Sequence, residues 1–217
     1  MDTLYYIIDF VLHLNHHLSE IINYFGNWAY AVLFLVVFAE TGLVITPFLP
    51  GDSLLFAAGA LSALEGVTLN VHILVLVLFV AAVIGDTCNY WIGHYFGEKL
   101  FSKDAKILKQ SYLDRTHNFY EKYGGKTIII ARFVPIIRTF APFVAGAGSM
   151  TYSKFMFYNV IGAAIWVVSI TYLGYYFGNI PIIKDNFAIV VIVIIILSIM
   201  PAIFEVVRIK LKSRKVK

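Results

Sequence analysis

Apolar and polar positions fall in blocks along the chain, and the blocks carry helical periods. Over residues 2–25, Leu4, Ile7, Ile8, Val11, Leu14, Leu18, Ile21, Ile22 and Phe25 share one face. Asp9, His13, His16, His17 and Glu20 make the other. This pattern predicts an amphipathic helix lying along an interface rather than crossing it. Residues 28–46 are apolar but interrupted by Glu40, Thr41 and Gly42. Pro47, Pro50 and Gly51 follow, then a second apolar piece from Ser53 to Leu64. Proline ends a helix by removing a donor, so two helical pieces around this break predict a re-entrant hairpin. Residues 71–97 are long enough to cross a hydrocarbon core about 30 Å thick, which takes about 20 residues.

Residues 98–126 are polar, basic and partly helical, with a weak apolar face at Leu108, Tyr112, Phe119 and Tyr123. Residues 127–149 are apolar again, broken by Pro135 and Pro142, and predict a second hairpin with Arg132 and Arg138 inside it. Residues 155–178 and 186–207 are further spans. The halves repeat. Ala58-Gly59 recurs as Ala145-Gly146, Val83-Ile-Gly85 as Val160-Ile-Gly162, and the Gly93/Gly97 pair as Gly174/Gly178. Such pairs allow close helix approach, within the chain or across a dimer. The fold expected is an all-α polytopic membrane protein, an inverted repeat with two re-entrant hairpins, about three full transmembrane helices and amphipathic interfacial helices. It forms a single domain over 1–210, with repeats at about 1–98 and 99–178, a final span at 186–207 and a basic tail at 208–217. Residues 28–46 could instead cross outright, which would move the N-terminus from the outside to the cytoplasm.

Composition supports the bilayer as solvent: 60% of residues are hydrophobic and the mean hydropathy is +0.80. Charge then gives direction. The first 98 residues hold no lysine or arginine, and all 17 basic residues lie from Lys99 onward. Lys99, Lys103, Lys106, Lys109, Arg115, Lys122 and Lys126 fill the central loop; Arg208, Lys210, Lys212, Arg214, Lys215 and Lys217 fill the tail. Both are expected on the cytoplasmic side, near anionic headgroups. The net charge of +4 is therefore a topology signal, and nucleic-acid binding is not expected. Cys88 stands alone, which excludes a disulfide or a Cys-rich metal site within one chain. The N-terminus lacks the basic region of a cleavable signal. No nucleophile elbow, phosphate loop or dinucleotide fingerprint appears, so neither an enzyme nor a cofactor is expected.

Four charges stand at the two breaks: Glu40 and Asp52 in the first, Arg132 and Arg138 in the second. A lone charge at the bilayer centre costs about 2.5–3.5 kcal/mol on insertion scales. Brought together, the four either close the hairpins as salt bridges or line a polar cavity. Arginine suits a phosphate, because its planar fork binds two oxygens and keeps its charge. Glu40 and Asp52 would act as counter-charges and exchange protons during transport. Asp86, Asn89 and Tyr90 form a second polar set inside a span, for packing or for the pathway. His13, His16 and His17 have metal-ligand spacing, but without a further ligand they read as a solvated face.

Three stretches resemble the DedA family of bacterial membrane proteins, part of the VTT-domain superfamily. They are Glu40-Thr-Gly through Pro47, Pro50, Gly51 and Asp52 to Gly59; Gly85-Asp86-x-x-Asn89-Tyr90-x-Ile-Gly93; and Lys126-Thr through Arg132, Pro135, Arg138 and Pro142 to Gly146. The resemblance implies a multi-pass protein of the bacterial inner membrane that translocates lipid. Its substrate would be undecaprenyl phosphate in a flippase, or phosphatidylethanolamine in a scramblase. It also implies that Glu40, Asp52, Arg132 and Arg138 are functional residues linked to the proton-motive force. The expectation is a homo-oligomeric, dimeric flippase with undecaprenyl phosphate or a phospholipid as partner. A proton-coupled antiporter of small cations and a non-transporting assembly factor are the alternatives.

Overall fold

The computed structural model describes residues 20, 22–42, 51–100, 124–148, 150–185 and 193. Most of the amphipathic helix with its histidines, Pro47, Pro50, the centre of the basic loop, the final span apart from Val193, and the tail lie outside these. The elements among the described residues are all helices: α1 Trp28–Gly42, α2 Gly51–Leu61, α3 Val71–Leu100, α4 Lys126–Ala131, α5 Pro135–Ala147, α6 Tyr152–Gly178 and α7 Pro181–Asp185.

Two stretches, Val71–Phe96 of α3 and Tyr152–Gly178 of α6, are long and apolar enough to cross a bilayer. Their surfaces fit that solvent. Leu76 and Leu173 are 62% and 61% exposed, and Tyr95, Phe96 and Phe157 are exposed with them, while Leu74, Leu78, Phe155 and Trp166 turn inward. So many large apolar side chains left uncovered on long helices suit lipid better than water. The 15 residues of α1 make a rod of about 22 Å.

The second break is sharper than its prolines suggest. The chain leaves α4 at Ala131, turns through Arg132 and Phe133, and reaches Val134 in an extended conformation (φ −117°, ψ 107°) before Pro135 opens α5. A residue before proline is driven out of the helical region, and proline fits a first helical turn that needs no donor. Pro142, expected to mark a break, lies inside α5. It lacks only the N–H that would reach the carbonyl one turn back, and α5 continues past it to Ala147.

The chain forms two compact units, each assembled from both halves of the sequence. The first holds Met1–Ala29, Pro50–Leu74 and Ile170–Lys217; the second holds Tyr30–Leu49 and Val75–Ser169. In the first, α2 crosses the end of α6. A Cβ on Gly59 would overlap the Thr171 carbonyl, and one on Gly174 would overlap the Phe56 carbonyl. In the second, α5 crosses α3. There Gly146 meets the Tyr90 carbonyl, and Gly93 meets that of Phe143. Phe56-x-x-Gly59 and Phe143-x-x-Gly146 thus make the same contact, one in each unit. The recurring glycines Gly59, Gly93, Gly146 and Gly174 are used within the chain.

Candidate functional site

The second unit gathers charges that their own helices disfavour. Glu40 sits in the last turn of α1, where exposed carbonyls repel an acid. Arg138 sits in the first turn of α5, where exposed N–H groups repel a base. The two form an ion pair, and their side chains are 2% and 10% exposed. Each end is unfavourable alone, so pairing is what makes both tolerable.

Arg132, in the turn after α4, makes the second pair. Its guanidinium donates to Asp86 Oδ2 of α3 at 2.5 Å, and also to Asn159 Oδ1 of α6. Asn159 Nδ2 donates in turn to the Val83 carbonyl at 3.1 Å, tying α6 to α3. Arg132, Asp86 and Asn159 are all buried. Gly162 leaves the room the arginine needs, since a Cβ there would stand 3.1 Å from its Cδ and Nε. Arg132 Nε has no hydrogen-bond partner among the described residues.

Between the pairs lies a cavity of about 10 Å³, lined by Thr41, Asp86, Arg132, Arg138 and Trp166. That is room for about one water molecule. It is too small for a phosphate group, so this arrangement is a closed one. Both arginines are occupied by acids, and an incoming anion would have to displace them.

Asn89 fixes the frame. It is fully buried, and its Nδ2 donates to the carbonyls of Thr41 at 3.2 Å and Thr139 at 2.7 Å. Those residues directly follow Glu40 and Arg138, so one amide holds both backbones beside the first ion pair. Replacing Asn89 by aspartate removes the donor while keeping the shape. We expect a stability loss of about 3 kcal/mol or more, seen as a lower Tm in detergent, because a buried carboxylate would then face two carbonyls.

The sequence-predicted residues thus divide. Glu40, Arg132, Arg138 and Asp86 converge in the second unit. Asn89 positions two of them. Tyr90 packs instead: its ring stacks on Phe155 at 4.5 Å and its hydroxyl donates to the Met150 carbonyl. Asp52 belongs to the first unit, in the first turn of α2, where an acid suits the helix terminus; Gly51 beside it is buried. Asn159, Trp166 and the carbonyls of Thr41 and Thr139 escaped the sequence reading. A lone amide within an apolar span is a signal that would have found Asn159. Nothing in the local sequence distinguishes Trp166 from an interfacial anchor.

A model of the VTT domain matches residues 49–176. Protein DedA of Escherichia coli strain K12 is 59% identical over 209 residues, 96% of this chain and 95% of that protein. An uncharacterized membrane protein of Mycobacterium tuberculosis is 39% identical over 186 residues, 85% of this chain and 82% of its own. Inner membrane protein YqjA of Escherichia coli strain K12 is 35% identical over 154 residues, covering 70% and 69%. No solved structure matches the chain.

Proposed function

Because the chain belongs to the DedA family of VTT-domain membrane proteins, we propose that it is a flippase, one that returns undecaprenyl phosphate to the cytoplasmic leaflet of a bacterial inner membrane. The observation that carries this reading is the convergence of Arg132 and Arg138 on one buried cavity, each held by a carboxylate. Two guanidiniums beside one cavity can take a headgroup together, and their forked geometry suits a phosphate monoester. The carboxylates keep the site neutral while it is empty.

Transport then becomes an exchange of partners. The headgroup phosphate takes Arg138 from Glu40 and Arg132 from Asp86, while the prenyl tail stays in lipid. A proton delivered to Glu40 would cancel its charge and release the guanidinium, which links the exchange to the proton gradient. Asp52, in the first unit, serves as a further proton-exchange site in this scheme. No covalent bond is made or broken and no cofactor is required.

The test is lipid movement in proteoliposomes, comparing labelled undecaprenyl phosphate with phosphatidylethanolamine for the wild type and Arg138→Lys. Lysine can still pair with Glu40 but binds phosphate as a point charge, so we expect folded protein with transport reduced about tenfold or more. Full activity of Arg138→Lys would exclude a forked phosphate contact. Equal movement of both lipids would make the protein a general scramblase with the arginines as a gate. Cation movement without lipid movement would replace the reading with an antiporter.

A further inference from the structure

We infer that Trp166 is a positioning residue, the aromatic seat that keeps both guanidiniums in place while their anionic partners are exchanged; this rests on the phosphate-binding reading above. Trp166 lies on α6, is 1% exposed, and lines the cavity. The Arg138 guanidinium carbon stands 5.1 Å from the centre of its ring and that of Arg132 stands 6.0 Å from it. Both fall within the distance at which the negative face of an indole attracts a cation.

The argument turns on what a carboxylate cannot do. Glu40 and Asp86 each hold an arginine through Nη2, one end of the guanidinium fork, so a phosphate that takes the whole fork must displace them. An aromatic face holds a guanidinium through its charge and its plane and leaves the N–H edges open. Trp166 can therefore keep its grip through the exchange, when two buried cations would otherwise be partly unpartnered and repel one another. The seat must also be rigid. The network of Arg132, Asn159 and the Val83 carbonyl anchors α6 to α3 two turns from the indole.

By the repeat that sets Val83-Ile-Gly85 beside Val160-Ile-Gly162, Trp166 stands where α3 carries Asn89, four residues after the glycine in each. One half thus places there the amide that holds the Thr41 and Thr139 carbonyls, and the other an indole beside two arginines. A tryptophan serving only to fill volume would be replaceable by any large apolar residue.

The experiment uses the full chain in detergent and in proteoliposomes, in a background of Trp28→Phe and Trp91→Phe that leaves Trp166 as the one indole. Farnesyl phosphate, a short-chain isoprenyl phosphate, is titrated while emission is followed. We expect a saturable change in Trp166 emission, absent with farnesol and abolished by Arg138→Ala. Trp166→Phe should retain most transport in proteoliposomes, and Trp166→Leu should weaken it about tenfold. If the leucine variant does not fold, the rank order tryptophan, tyrosine, phenylalanine, methionine decides the matter, with methionine expected last. Trp166→Leu or Trp166→Met behaving as wild type, while Arg138→Ala is inactive, would overturn the role of the indole and leave the flippase reading standing. Emission unmoved by farnesyl phosphate, with Arg138→Ala still moving lipid at the wild-type rate, would sink the flippase reading and the seat with it.

Discussion

Replacing Arg132 by alanine should unfold the protein before it reports on transport. The guanidinium is buried, and it satisfies Asp86 and Asn159 at once. Removing it leaves the Asp86 carboxylate in a dry interior with its counter-charge gone, a change that costs about 3–5 kcal/mol. Asn159 loses the donor to its carbonyl oxygen in the same step. We expect a large drop in Tm and poor recovery from the membrane. The double variant Arg132→Met with Asp86→Leu removes both charges and fills similar volume. Buried pairs exchanged for apolar residues are often neutral in stability, so it should recover most of the loss, short of the wild type by about 1–3 kcal/mol, the cost of the orphaned Asn159 oxygen. It should still move no lipid. Rescue of stability without rescue of transport separates the structural cost of the pair from its use. An Arg132→Ala protein as stable as the wild type would show that Asp86 is hydrated or neutral, and that the arginine is not what makes its burial tolerable.

The outline of this site was legible because charge in an apolar segment is rare and expensive. Glu40, Arg132 and Arg138 announce themselves on that ground alone. Their pairing was not legible. Sequence places Asp52 closer to the first break than Asp86, yet Asp86 lies against Arg132 because α3 passes beside the turn after α4. Proximity of that kind depends on which helices cross, and crossing partners are not written in either segment by itself. The break at Arg132–Val134 was half legible: Pro135 marks it, while Pro142 points to a second break that the helix does not make. A proline inside a helix and a proline at its start look alike in sequence, because the difference lies in whether neighbouring helices support the chain. Trp166 was not legible at all. An indole in a span suits lipid, an interface or a cation equally, and only the two guanidiniums above it decide.

The glycine crossings lead to the second large effect, because they hold the frame around those charges. A Cβ on Gly146 would overlap the Tyr90 carbonyl oxygen, a backbone atom in the middle of α3 that cannot turn aside. Gly146→Ala must therefore push α5 away from α3. Within a bilayer there is no compensating hydrophobic gain from the added methyl group, since lipid is as apolar as the helix it would touch. We expect a loss of about 3 kcal/mol, the upper end for overpacking, seen as a lower Tm in detergent. Gly59→Ala should cost a similar amount in the first unit, where the obstacle is the Thr171 carbonyl. Gly66→Asn is the control. That glycine has φ +80° and nothing within 4 Å of a Cβ, and asparagine tolerates the left-handed conformation, so the cost should stay below about 1 kcal/mol. The functional consequence follows from Asn89, which precedes Tyr90 on α3 and donates to the Thr139 carbonyl on α5. Separating the helices stretches that bond, and with it the placement of Arg138 beside Glu40. Transport by Gly146→Ala should therefore fall even at temperatures where the protein remains folded. An unchanged Tm together with unchanged transport would mean that α5 slides freely over α3, and that the charges owe their placement to something other than the crossing.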